Sequence, residues 1–226
     1  MSRNLSKIFL FFYLFVPVGL FAQYGPTNIT QYNTMSRLLE GNLDFLKTES
    51  YINVIFNFDH LQVGGYPNEV DYLDKKTKEY NEKEAGKGDH WRLLWEEDKK
   101  DLYPAAFIDV YNKYAAKLKY AAIDLDHKNK YTLILETNYI EVGYNVYVMK
   151  SPARANYTFK FVETDDTSKV VAKVLMIGSV GRTFGMKDMD TGVRIKECYG
   201  FAGKYFVEYL HEYFIKEAKR AKKEGK

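Results

Sequence analysis

The chain has 226 residues, with 33 Lys and Arg against 30 Asp and Glu, a formal net charge of +3. That length fits one domain with a sizeable core, and so even a balance gives no global field for nucleic acid or an anionic membrane. One cysteine among 226 residues excludes an internal disulfide, so the fold must rest on packing, to which 20 Tyr and 15 Phe contribute much of the apolar area.

The first 22 residues read as a secretory signal peptide. Arg3 and Lys7 make a basic start, Ile8 to Val16 is unbroken apolar, Pro17 and Gly19 break the run, and Ala22 precedes Gln23. The run is shorter than the roughly 20 residues a membrane anchor needs. No Cys stands near Ala22 to carry a lipid. The expectation is a periplasmic or secreted protein beginning near Gln23, with no stable membrane anchor after cleavage.

Residues 23–48 read as a leader. Met35, Leu38, Leu39 and Leu43 could share one side of a short helix interrupted by Gly41-Asn42. The domain proper is expected over 49–226. Tyr51 to Phe58 is β-branched and aromatic and predicts a strand. Asp59 to Pro67 is a loop with Gly64-Gly65. Asn68 caps a surface helix, Ala85 to Gly88 breaks it, Asp89 caps a second carrying Trp91 and Trp95, and Tyr103-Pro104 starts a third.

The second half alternates apolar and polar residues over Tyr131–Val142, Ala155–Glu163 and Val170–Ile177, which predicts three antiparallel strands. Gly178 to Gly192 reads as a glycine-bearing loop. Asp190 or Thr191 caps a final helix whose apolar face holds Ile195, Cys198, Phe201, Ala202, Tyr205, Phe206, Tyr209, Leu210 and Phe214. Its end, from Lys216, is basic and reads as a solvated helix terminus. The predicted fold is α+β: a two-layer sandwich with a mostly antiparallel sheet, ordered strand, helices, three-strand meander, closing helix.

No motif in the chain carries a known chemistry. Asp190-Thr191-Gly192 spells the aspartic-protease triplet, but it occurs once and opens a helix, so an N-cap explains it. Asp124 to Asn129 lacks the sixth-position Gly and twelfth-position Glu of a calcium loop. The glycines of Gly178–Gly185 lack a phosphate-loop ending. The four histidines, His60, His90, His127 and His211, have no metal-ligand spacing. No cofactor or metal is expected. Asp59 and His60, beside Gly64-Gly65, and Glu141, at a strand end before Gly143, are the residues where a polar site would form.

From Gly41 onward the ordered pieces Phe45-Leu-Lys47, Ile52-Asn-Val54, Val63-Gly64, Glu69-x-Asp71-Tyr72, Tyr80-Asn-Glu-Lys83, Gly86-Lys-Gly88, Trp91 and Trp95 are distinctive as a set. So are Thr132-Leu133-Ile134, Glu141-x-Gly143-Tyr144-Asn145, Phe161-Val-Glu163 and Gly200-Phe-Ala-Gly203-Lys204. With these the chain resembles a family of small exported proteins of unknown function from Gram-negative bacteria. More distantly it is similar to envelope lipoproteins with a fold like the N-terminal part of the curli secretion lipoprotein. It departs from the latter in lacking the lipid-bearing Cys and in its longer helical stretch around Gly86 to Lys100. The resemblance implies fold and location and brings no catalytic residue. The functional expectation is a non-catalytic envelope protein, a binding or assembly module for a protein or glycan. The alternative is a hydrolase built on an unrecognised carboxylate and histidine site at Asp59, His60 or Glu141.

Overall fold

A computed structural model describes residues 34–146, 149–181 and 190–225. The expected signal peptide, the leader up to residue 33 and part of the loop before the last helix lie outside the described residues. The elements are β1 (Met35–Gly41), α1 (Phe45–Thr48), β2 (Tyr51–Asn57), β3 (Gln62–Val63), α2 (Glu69–Lys83), α3 (Lys87–Glu97), a π-helical turn (Asp98–Leu102), α4 (Tyr103–Leu118) and β4 (Ala122–Ile123). They continue as β5 (Tyr131–Glu141), β6 (Tyr144–Asn145), β7 (Lys150–Ser151), β8 (Arg154–Glu163), β9 (Asp166–Val180) and α5 (Thr191–Lys223).

The fold is α+β. A sheet of seven strands runs β1-β9-β8-β5-β2-β4, with β3 alongside the end of β5. The meander β5-β8-β9 is antiparallel, as the alternation of Tyr157, Phe159 and Phe161 requires. β2 lies parallel to β5, pairing Ile55 with Ile134. A parallel pair needs a long crossover, and α2 to α4 supply it.

The helices cover one face. Phe159 and Phe161 of β8, Leu133 and Leu135 of β5 and Val174 and Met176 of β9 turn inward and are buried. Phe206 of α5 lies flat on Phe159, ring centres 4.2 Å apart at 7°. Tyr103 of α4 stacks on Tyr199 of α5 at 4.9 Å. α4 and α5 approach closely at Gly203, where a Cβ would sit 2.8 Å from the Phe107 carbonyl oxygen and 2.9 Å from the Tyr111 nitrogen. The opposite sheet face carries Ile55, Glu136, Lys160, Lys173 and Arg37 and is solvated, the usual one-sided arrangement of antiparallel sheets.

The boundary at residue 49 is corrected. Met35–Gly41 is not a leader helix but edge strand β1, paired antiparallel with β9 from Met35–Ile177 to Gly41–Ala172. Gly41 takes a left-handed φ of 76°, and its Cα lies against the Val171 carbonyl, where no side chain fits. Beyond it Leu43 and Leu46 are fully buried, and Phe45 packs on Tyr131 at 4.6 Å and Phe161 at 5.3 Å. The described domain therefore includes residue 34 onward. Met35, Leu38 and Leu39 satisfied a helical period by accident of a short apolar run, and pairing with β9 decides the outcome.

Three other boundaries differ. α3 begins at Lys87 after Gly86 at φ 81°, and Asp89 lies in its first turn rather than at its cap. Tyr103 does not restart a helix, because α3 continues through the π turn into α4. Pro104 has no N–H to donate and would crowd the carbonyl four residues back; a widened turn before it accommodates both. β9 passes Gly178, whose φ of 76° makes a bulge stapled by its N–H to Asn156 Oδ1 at 2.9 Å, and ends at Val180. The caps at Asn68 and Asp190 form as read: Asn68 accepts from the Asp71 N–H at 2.9 Å and Asp190 from the Gly192 N–H at 2.7 Å.

Cys198 is fully buried, and desolvation pushes its thiol up to about 12, so it is a core residue rather than a nucleophile. Phe206→Ala should lower stability by about 3–5 kcal/mol in denaturant unfolding, because it empties the stack on Phe159.

Candidate functional site

Asp59 and His60 follow β2 and are exposed. Asp59 folds back on its own strand: its N–H donates to Asn57 Oδ1 at 2.9 Å, and its Oδ2 accepts from Asn57 Nδ2 at 2.8 Å. Glu141 ends β5 and is half-buried. It accepts from the Tyr139 hydroxyl at 3.2 Å and from the Gly143 N–H at 3.4 Å. β3 does bring the Gly64 loop to Glu141, through the Gly64 N–H to the Ile140 carbonyl at 2.8 Å. Among the described residues no hydrogen bond or ion pair joins Asp59 or His60 to Glu141, so the three do not converge. His127 bonds Asp124 at 2.8 Å within its turn, and His211 meets the Tyr120 hydroxyl at 3.3 Å.

A different set of polar groups gathers where the π turn meets the start of α5. The π turn carries Asp98, which lies against Gly192; a Cβ on Gly192 would collide with Asp98 Oδ2. Asp190 Oδ1 is 3.3 Å from that same point while it caps α5. Two carboxylates from segments 92 positions apart thus border one glycine. Asp98 makes no hydrogen bond or ion pair among the described residues. Burial, with Asp190 and Glu97 nearby, raises its carboxyl from 3.8 to about 6. Tyr103 is fully buried beside both carboxylates, and its hydroxyl has no partner. The neighbouring Tyr199 hydroxyl shares a hydrogen bond of 2.7 Å with Thr137.

The flanks of this cluster are compensated. Lys99 Nζ reaches Glu69 Oε2 at 2.8 Å and Glu96 at 3.0 Å, and the Trp95 Nε1–H donates to Glu69 at 2.6 Å. Buried Arg194 donates from Nε to the Val142 carbonyl at 3.1 Å and from Nη2 to Thr191 Oγ1 at 3.0 Å, fixing the first turn of α5 to the end of β5. Sequence spacing gave no hint of Asp98; Asp190 was visible only as a cap.

A second feature is a groove between edge strand β1 and α5. Thr34, Met35 and Ser36 form one wall and Tyr205, Tyr209 and Glu212 the other, with Glu208 and Lys216 at the rim. Tyr205, Tyr209 and Tyr213 recur every four residues and so stack along one side of the helix. The Leu38 N–H points out of the sheet at this edge and donates to the Tyr209 hydroxyl at 2.9 Å. By the two-residue period of a strand, Ser36 turns its backbone groups the same way. Among the described residues no helix is long and apolar enough to cross a membrane, and no group of three or more His, Cys, Asp or Glu is placed to hold a metal.

Asp98→Asn should stabilise the protein at about pH 7 by on the order of 1 kcal/mol, a figure reduced for solvent screening of a half-exposed group. The sign follows from the raised carboxyl. Its proton is held more tightly folded than unfolded, so the native protein's relative stability is fullest below pH 3.8 and is lost as pH rises through about 6. Asn carries no such loss. Urea unfolding at both ends of that window should show the Asn advantage at the high end and its disappearance at the low end.

No protein-family model matches this chain, and no curated protein is significantly similar to it.

Proposed function

We propose that the protein is a non-catalytic exported envelope protein, a binding or assembly module that takes an extended segment of a partner protein into the groove between β1 and α5. The observation that carries this reading is the turned-out Leu38 N–H, held only by the Tyr209 hydroxyl, on an edge strand walled by tyrosines of α5. An edge strand offers backbone donors and acceptors for one more strand, and a neighbouring helix supplies side-chain contacts. Tyrosine suits such a wall, because it gives contact area with few rotatable bonds and a polar tip.

A peptide fits better than a glycan. Most aromatic rings are spent in the core; Tyr51 and Tyr144, 52% and 47% exposed, lie on β2 and β6, apart from one another in the chain and from the groove. The hydrolase reading has less to draw on, since Asp59 and His60 sit on the surface away from any bond to Glu141. Export is supported by the basic start, the apolar run and Ala22 before Gln23.

Two experiments test the reading. A photo-crosslinking amino acid at Met35 or Glu212 should yield a discrete adduct with an envelope protein in cells, and one at Lys160 on the solvated face should not. Ser36→Pro, which removes an outward N–H without touching the pairing with β9, should abolish that adduct. Equal labelling from all three positions, or an adduct that survives Ser36→Pro, counts against the groove. N-terminal sequencing of the protein from the envelope or medium should begin at or near Gln23; material that still starts at Met1 overturns export.

A further inference from the structure

We propose that Asp98, Asp190 and Tyr103 form a binding site for a protonated primary amine. The site is separate from the groove beside β1 and does not depend on it.

Three acceptors meet there from three elements. Asp98 comes from the π turn, Tyr103 from the first residue of α4 five positions later, and Asp190 from the cap of α5. The two carboxylates border the Gly192 Cα, where a side chain is sterically excluded, so the glycine keeps the space between them open. Asp98 has no hydrogen-bond or ion-pair partner among the described residues. The Tyr103 hydroxyl is buried with none either. Unpaired buried polar groups cost stability, and half-buried like charges more so, so an arrangement with three of them needs a compensating group. Lysines lie close in sequence, but Lys99 is committed to Glu69 and Glu96. The missing group is therefore a cation brought from outside the domain.

The chemistry narrows the cation. A divalent metal prefers several hard ligands, and no three acidic, histidine or cysteine residues among those described are placed to supply them. An alkylammonium has three N–H donors and one positive charge. Two carboxylates and one phenolic oxygen match that count, with charge-assisted bonds to the acids and a neutral bond to the tyrosine. The groups facing Asp98 are Asp190 on α5, Glu97 on the preceding turn, and the Tyr103 and Tyr199 phenols. None of these is cationic, so the ligand meets no charge competitor there.

The test is calorimetric titration of the whole mature protein with n-propylammonium at about pH 7.5, where both carboxylates are ionised. Tetramethylammonium, equal in charge but without N–H donors, and calcium are the comparison probes. Saturable binding of propylammonium, with tetramethylammonium much weaker, is expected. Asp98→Asn should weaken it by about tenfold or more, and Tyr103→Phe, which keeps the ring stack, by several-fold. At about pH 5 binding to the native protein should fall, whereas Asp98→Asn should show little change. Nα-acetyl-lysine amide against glycinamide then separates a lysine side chain from a chain terminus as the source of the amine. No saturation by propylammonium, equal binding of tetramethylammonium, tighter binding of calcium, or binding unaltered in a folded Asp98→Asn protein would each overturn the proposal.

Discussion

Everything in this domain hangs on the seating of α5 against the sheet and α4. Phe206 lies parallel to Phe159, and Gly203 lets the α4 backbone come within contact distance one turn earlier. Close packing over that area transmits position accurately, because interiors are dense and yield little. The consequence is that both ends of α5 are held in place. Its first turn is tied to β5 through Arg194, and its middle presents Tyr205 and Tyr209 to β1. The amine site and the strand groove are thus built on the two ends of one rigid element.

The π turn is the other determinant. A regular helix from α3 into α4 would place Pro104 against a carbonyl it cannot bond. The wider turn resolves that conflict and brings Asp98 toward Gly192 with its carboxylate unpaired. The local distortion thus comes with an electrostatic cost, an acid with its carboxyl raised to about 6. Distortions of this kind recur at functional sites because regular helices satisfy their own polar groups.

How much of this could be read in the chain follows from the range of each interaction. The face of α5 and the alternation in β5, β8 and β9 were legible, because burial on one side leaves a period in the sequence. The caps at Asn68 and Asp190 were legible for the same local reason. β1 was not, since seven residues with apolar groups at mixed spacing fit a helix as well as a strand until β9 is present. The π turn, Asp-Lys-Lys-Asp-Leu, has the composition of any exposed helix. The meeting of Asp98 with Gly192 depends on contacts between distant segments, so no spacing announces it. Asp59 and His60 stood out by type and by nearby glycines, neither of which says where a side chain points.

The sheet order imposes a sequence of events on the chain. β1 is the first strand of the described domain, yet its only neighbour is β9, so that Met35 must find Ile177. A chain that emerges from its N-terminus, whether from a ribosome or through a membrane, carries β1 unpaired until nearly all the rest has followed. β5, β8 and β9 can close as a meander from local turns in the meantime. β1 then docks last, onto a sheet already complete without it. A strand added late onto a finished edge is also the strand most easily exchanged, between copies of the chain or for a foreign segment of similar pattern.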